Sequence, residues 1–272
     1  MKPLTPESGP AYLFCPASRP DRYQKALDAA DFVILDLEDA VAPVDKAAAR
    51  RALIDNPVDP DAVIVRINAI GTPYHALDLE ALERTEYGRI MVPKAEDPEA
   101  IAKLDRYEVI ALCETARGVL RAPQIAEVPR VAALMWGAED LIVSLGGRAS
   151  RRDDGSYLEV AVHTRSTVLL AAAASNLPAI DAVHLDITDA VGLAAESHDA
   201  ALAGFTGKAS IHPCQVPTIR QAWRPSAHEF AWATQMLAQA DADGVSVVGG
   251  QMIDGPLLAQ AKRIVDRGPG SQ

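Results

Sequence analysis

The sequence predicts a closed (β/α)8 barrel followed by a C-terminal helical extension, and three observations carry that prediction. Eight short apolar runs, each too brief for a helix, recur between residues 12 and 211. Segments of helical composition separate them, and strands alternating with helices build a parallel sheet. At 272 residues the chain is long for an ordinary single domain but suits eight strand–helix units. The rival is an open doubly wound sheet. It is weakened because no Gly-x-Gly-x-x-Gly follows the first run and no Gly-Lys-Ser/Thr phosphate loop occurs.

The predicted strands are Tyr12–Cys15, Phe32–Leu37, Ala62–Asn68, Arg89–Pro93, Glu108–Cys113, Val131–Trp136, Ala182–Leu185 and Lys208–Ile211. Each is rich in β-branched or other apolar residues and bounded by turn formers or charge. Helical composition fills Asp21–Ala30, Asp45–Ile54, Tyr74–Glu83, Asp97–Asp105 and Val160–Ser175, and one crossover helix is expected within Thr115–Glu127. Two stretches break the rhythm. Gly146–Tyr157 is polar, glycine-rich and charged, and fits either a mobile lid on the active-site face or a plain solvated loop. After the eighth run come a helix in Ala227–Ala242, a Gly-Gly turn and the helix-like Leu257–Arg267. The expected division is a barrel over residues 1–223 and an extension over residues 224–272.

Composition narrows the function class. A hydrophobic fraction of 49% supports a sizeable core, and a net charge of −11 argues against nucleic acid or an anionic membrane as the main partner. Cys15, Cys113 and Cys214 have neither paired nor metal-type spacing, so reduced thiols and a cytoplasmic location are expected. The N-terminal stretch has no apolar core and does not read as a signal peptide, and no run approaches a membrane span.

The chemistry collects around residues 108–141. Two runs flank one crossover helix, so their strands lie parallel with both C-terminal ends on the face where α/β folds build sites. The first run ends on Glu114 and the second, after Gly137, on Asp140. Paired carboxylates with open water positions suit a hard divalent cation, Mg2+ or its close substitute Mn2+. A single acidic residue after a strand also serves as a plain helix cap. The other strand ends add Asp36, Glu38 and Asp39, then Arg66, Lys94, Glu139, Asp186, Lys208 and His212. Each has an ordinary explanation as a cap, an ion pair or a satisfied loop histidine. Together they would bring a charged group to one rim from seven of the eight strands. A cation would keep that excess of carboxylates ionised, and Arg66 has a planar fork suited to a carboxylate or an enolate-like oxygen.

Six motifs then occur in order: Asp36-Leu-Glu-Asp-Ala-Val41, Val92-Pro-Lys-Ala-Glu96, Glu114-Thr-Ala-Arg-Gly118, Gly137-Ala-Glu-Asp-Leu141, Gly204-Phe-Thr-Gly-Lys-Ala-Ser-Ile-His-Pro213 and Gly250-Gln-Met-Ile-Asp-Gly-Pro256. Together they closely resemble the citrate lyase β-subunit-like proteins of the HpcH/HpaI aldolase superfamily, related to malyl-CoA and citramalyl-CoA lyases. The resemblance spans nearly the whole chain and implies a TIM barrel, Mg2+ and acyl-CoA substrates. By motif, Glu114 and Asp140 match the metal carboxylates and Arg66 the arginine that steadies the enolate. Gly137, Ala138, Glu139 and Asp140 match the turn that holds the substrate's carboxylate or keto acid. Asp254 matches an aspartate that exchanges a proton with the acetyl-CoA methyl. In the family this aspartate is supplied by a neighbouring subunit's extension, which implies a homotrimer with shared sites. Asp36 and Glu38 complete the candidate catalytic set. Phe14, Arg19, Lys25, Lys46 and Arg50 are the candidate coenzyme contacts, although a solvated basic helix face would carry the same charges. One departure is visible: Cys15-Pro16-Ala17-Ser18 stands where the family has Pro-Gly, so the coenzyme-contacting loop differs in detail.

The resemblance therefore implies a Mg2+-dependent carbon–carbon lyase. It would cleave a 3-hydroxyacyl-CoA of the malyl-, citramalyl-, HMG- or citryl-CoA kind into acetyl-CoA, or a homologue, and a carbonyl compound. Three alternatives stand beside it: a thioesterase or malate-synthase-like condensing enzyme on the same site, a β subunit of a multi-subunit citrate lyase, and a non-catalytic barrel that only binds.

Overall fold

Eight parallel strands close on themselves in sequence order: β1 (Ala11–Pro16), β2 (Phe32–Asp36), β3 (Val63–Arg66), β4 (Arg89–Val92), β5 (Glu108–Cys113), β6 (Val131–Trp136), β7 (Ala179–Asp181) and β8 (Gly207–Ser210), with β8 pairing back to β1. This is the predicted (β/α)8 barrel, seen in a computed structural model that describes residues 1–239, 246–248 and 251–268. The helices are α1 (Tyr23–Ala29), α2 (Lys46–Asp55), α3 (His75–Leu82), α4 (Pro98–Ala102), α5 (Ala116–Leu120), α6 (Ala122–Ala126), α7 (Ala138–Ser144), α8 (Glu159–Ala174), α9 (Ala190–Ala203), α10 (Val216–Ala222), α11 (Ala227–Ala238) and α12 (Gly255–Asp266).

Alternation along the strands builds the core. Tyr12, Phe32, Ile34, Ile64, Met91, Ile110, Leu112, Ala133, Met135, Ile180 and Ala209 pack together inside the barrel. Their neighbours in sequence, such as Leu13, Val33, Leu35, Val65 and Ala111, are also fully or almost fully buried, as strands covered on both faces require. Continuing the inward alternation past the packed interior puts Asp36 above Ile34, Arg66 above Ile64, Glu114 above Leu112 and Gly137 above Met135.

Two expectations are corrected. The crossover helix is split into α5 and α6, with Pro123 at the start of the second, where its missing N–H costs nothing. The seventh strand is Ala179–Asp181 rather than Ala182–Leu185. A charge in the apolar run Ala179–Val183 displaced the sequence reading downstream, yet Asp181 is 1% exposed. Its carboxylate accepts from Trp136 Nε1 at 2.7 Å, Arg165 Nε at 2.9 Å and Lys208 Nζ at 2.9 Å. Burial alone would raise its pKa, but Lys208 and Arg165 outweigh that and hold it low. Lys208, expected at the rim, is therefore buried in this seam instead.

The contacts divide the chain into two compact units, residues 1–219 and 220–272. In the second, α11 begins with a capping box in which Ser226 and Glu229 satisfy each other's backbone N–H. Helix α11 packs on α12 through Ala233, Met236 and Ala261. Between these helices, β9 (Ser246–Val248) and β10 (Gln251–Ile253) pair antiparallel. The predicted helix Ala227–Ala242 ends at Ala238, and its last residues, like Gly249 and Gly250 of the Gly-Gly turn, lie outside the described residues. Among the described residues no helix is long and apolar enough to cross a membrane.

Candidate active site

The register of β2 on β3 sets Asp36 directly beside Arg66. Asp36 takes both prongs of the guanidinium, from Nε at 2.7 Å and Nη2 at 2.6 Å. It also accepts from the N–H groups of Glu38 and Ala40, which fixes the turn after β2. The Phe14 ring lies 4.7 Å from the guanidinium as a cation–π partner. Burial alone would lower the Arg66 pKa, but the Asp36 contacts outweigh it and raise it. The arginine's bidentate edge is thus committed to Asp36 rather than open to substrate. The remaining nitrogen, Nη1, lies 3.2 Å from Glu38 Oε2. Burial raises the Glu38 pKa despite Arg66 and Lys94 nearby, and Oε2 of Glu38 has no hydrogen-bonded partner.

On the other side, β5 pairs with β6 so that Cys113 faces Trp136, and the next residues, Glu114 and Gly137, meet. A Cβ on Gly137 would stand 2.7 Å from Glu114 Oε2, so only glycine lets this carboxylate lie against the turn. Glu114 is 3% exposed, and its Oε1 accepts from the Lys94 N–H at 3.1 Å. Burial, and then the charge of Asp140, push its carboxyl up to about 8. Asp140 sits in the first turn of α7. The ammonium of Lys94 reaches into this group, 2.7 Å from Glu38 and 3.2 Å from Asp140.

These residues fit a divalent cation. Two carboxylates converge on one cavity wall, and burial, then Asp140, raise the pKa of Glu114, a shift that a further positive charge would offset. All the donors are hard oxygens, suited to Mg2+ or Mn2+. Among the described residues no three His, Cys, Asp or Glu side chains form a ready-made metal cage, so substrate and water would complete the shell. The cavity holds about 310 Å³ and is walled by apolar Phe14, Leu112, Met135, Val183 and Ile211, with Arg66, Glu114 and Gly137–Asp140 at its polar side. The first backbone N–H groups of a helix have no acceptor within it, and those of α7 begin at this wall. Glu139 has its side chain tied to Ser150 Oγ at 2.7 Å.

Several predicted residues take other roles. Lys46, a candidate coenzyme contact, is buried, with its ammonium bonded to the Leu37 and Glu38 carbonyl oxygens at 2.8 and 2.9 Å. Arg50 is likewise spent, paired with buried Asp78 at 2.9 Å. Arg19 forks onto Asp21 at the surface, and Lys25 is exposed on α1. Phe14 serves Arg66 and the cavity wall. Asp186 does not end a strand but bonds to the N–H and hydroxyl of Thr188. His212 caps the turn after β8. After β1, the N–H of Ala17 donates to the Asp36 carbonyl and its own carbonyl accepts from the Tyr23 hydroxyl, so the non-glycine loop is firmly held. Within Gly146–Tyr157, Arg151 bridges to Tyr157 and stacks on its ring at 3.8 Å, pairs with Glu196, and Tyr157 meets Trp136 edge-on. These contacts anchor the segment to the barrel. Asp254 caps α12 through the Leu257 N–H and is exposed. Lys94 was marked by its place at a strand end and within Val92-Pro-Lys-Ala-Glu96, but neither signal gave it a role.

Residues 11–213 match the family model described as HpcH/HpaI aldolase/citrate lyase. The chain is 52% identical to a citrate lyase subunit beta-like protein of Mycobacterium tuberculosis, over 96% of each chain. It is 34% identical to a (3S)-malyl-CoA thioesterase of Cereibacter sphaeroides, over 92% of this chain and 91% of the relative. It is 32% identical to the human mitochondrial citramalyl-CoA lyase, over 86% and 78%. A crystal structure of the M. tuberculosis protein CitE in complex with magnesium, acetoacetate and coenzyme A superposes with a TM-score of 0.93, at 52% identity, covering 95% of this chain and 97% of that one.

Proposed function

The chain belongs to the HpcH/HpaI aldolase/citrate lyase family, and from that premise we propose that it is a Mg2+-dependent lyase cleaving a 3-hydroxyacyl-CoA into acetyl-CoA, or a homologue, and a carbonyl compound. The observation that carries this reading is the meeting of Glu114, Asp140 and Arg66 on the polar side of one apolar-walled cavity. Glu114 and Asp140 would hold the ion, which supplies positive charge to the oxygens of the carbonyl fragment. In the cleavage the hydroxyl gives its proton to water in the cavity, its carbon becomes a carbonyl as the C2–C3 bond breaks, and the electron pair passes into the thioester as an enolate. Arg66 faces the cavity with its charge fixed by Asp36 and meets the oxygen on which that charge develops. Asp36, Glu38 and Phe14 position the guanidinium. The turn from Gly137 to Asp140 offers backbone N–H groups to the fragment's carboxylate. Asp254 returns a proton to the departing carbon, giving the methyl group of acetyl-CoA.

In this reading residues 1–223 form the catalytic barrel, and residues 224–272 lend Asp254 to a neighbouring subunit of a homotrimer. The free thiols of Cys15, Cys113 and Cys214 suit a reducing compartment, the cytoplasm. A thioesterase is the second reading, favoured by the 34% identity to the malyl-CoA thioesterase. The experiment is a screen of 3-hydroxyacyl-CoA thioesters with Mg2+, resolving the products. Acetyl-CoA plus a carbonyl compound supports the lyase. Free coenzyme A with the intact hydroxy acid means hydrolysis, and no Mg2+-dependent turnover of any thioester overturns both readings.

A further inference from the structure

We propose that Lys94 is a tethered counter-ion seated in the carboxylate cluster, and that it sets the affinity for the divalent cation by competing with it for Asp140 and Glu114. The proposal rests on the assignment of those two residues as the metal carboxylates. The Lys94 ammonium lies 2.7 Å from Glu38, 3.2 Å from Asp140, 3.9 Å from Asp39 and 4.0 Å from Glu114. It thus pairs with Glu38 and Asp140 and lies within 4.0 Å of Glu114 and Asp39, so it faces both metal carboxylates and two acidic residues outside that pair. Arg66 closes its fork on Asp36 and turns Nη1 toward Glu38, so among these four it shares Glu38 with Lys94.

The backbone holds the lysine there. Lys94 has φ +49°, in the left-handed region that a side chain other than glycine or asparagine rarely adopts. Such a conformation persists when its surroundings over-determine it. Here the Lys94 N–H donates to Glu114, the Ala95 N–H donates to the Leu112 carbonyl, and the Ala95 carbonyl fills the space above Gly118, where a Cβ would stand 2.3 Å away. The turn is therefore clamped between β5 and α5, while its side chain is one-third exposed. A dication and an ammonium sharing two carboxylates repel one another. The lysine yields Asp140 and Glu114 and retreats onto Glu38 and Asp39. At a contact of about 4 Å, that repulsion weakens metal binding by about tenfold or more even at a water-like dielectric. The cluster thus stays neutralised without metal, and tight metal binding waits for the oxygens that the substrate adds.

The test titrates Mg2+ by calorimetry, and Mn2+ by electron paramagnetic resonance, into metal-free full-length protein. Lys94→Met is expected to bind either ion about tenfold more tightly than wild type. Without metal it should melt at a lower temperature than wild type, and saturating Mg2+ should close that gap. Lys94→Arg, which keeps the charge, should bind near the wild-type affinity. Lys94→Gln carries the same comparison should the Met variant fold poorly. Wild-type or weaker binding by the neutral variants, while Glu114→Gln has lost the ion, overturns the competition and leaves the metal site standing. Wild-type binding by Glu114→Gln overturns the metal assignment itself.

Discussion

At the scale of single residues, the site works by spending most of its charges on one another. Arg66 is the clearest case, because its planar fork serves Asp36 and leaves a single edge for the cavity. Arg66→Lys keeps a positive charge but cannot bridge both oxygens of Asp36, so its charge should sit out of place. A fall of about 100-fold in kcat/KM is expected for a lost charged bidentate pair at the reacting centre. Steady-state kinetics of acetyl-CoA release measure it, and a lysine variant near wild type means that charge alone suffices. Glu114 makes a second prediction. Its carboxyl holds a proton up to about pH 8 in the folded, metal-free protein, against 4.5 when unfolded. The folded state thus binds more protons between those values. Its contribution is fully present below pH 4.5 and is lost as pH rises to 8, by roughly 4 kcal/mol in the absence of metal. Denaturation in a chelator across this range, with Glu114→Gln subtracted, measures the loss. Mg2+ must displace the same proton, so its affinity should climb by up to about tenfold per pH unit until pH 8 and then level off. A flat affinity profile would show that Glu114 is already ionised.

At the scale of elements, the strands deliver these residues by alternation, and one seam carries an unusual amount of charge. Between β7, β8, α8 and α9, Asp181 gathers Arg165, Lys208 and the Trp136 indole, and Lys208 also lies 3.4 Å from Glu196. Trp136 is the last residue of β6, directly before the Gly137 turn, so the seam also fixes where that turn begins. Lys208→Met removes a cation that is 1% exposed and leaves Asp181 with the Arg165 cation and the Trp136 N–H. Breaking one partner out of such a buried pair costs about 3–5 kcal/mol. Chemical denaturation checks this, and a loss below about 1 kcal/mol would mean that Arg165 neutralises Asp181 unaided.

At the scale of the whole molecule, the two compact units divide the proposed chemistry, with Glu114, Asp140 and Arg66 in the first and Asp254 in the second. The proposed homotrimer would complete each site from two chains, and a closed ring needs only one kind of interface for that. Arg66→Ala and Asp254→Ala are each expected to be inactive. Mixed after dissociation and reassembled, they should recover part of the wild-type activity, because some interfaces pair an intact Arg66 with an intact Asp254. Mixed oligomers that form, as mass spectrometry would report, yet stay inactive would place a complete site in every chain.

How much of this was legible in the sequence follows from how local each signal is. Apolar runs spaced by helical segments are local patterns, and they specified the barrel and seven of its eight strands at their observed places. The strand-end motifs likewise singled out Glu114, Asp140 and Arg66 before any geometry was known. The seventh strand was misplaced because a buried aspartate looks like a loop residue until Arg165 and Lys208, distant in sequence, are seen to neutralise it. For the same reason the partners of Lys46 and Arg50 were not legible: a basic residue reveals its charge in the sequence but not its partner. Only the tertiary structure decided that Lys46 caps two carbonyls, that Arg50 belongs to Asp78, and that the ammonium of Lys94 lies among four carboxylates. Pairing energy depends on distances between residues far apart in the chain, and the closure of the barrel sets those distances.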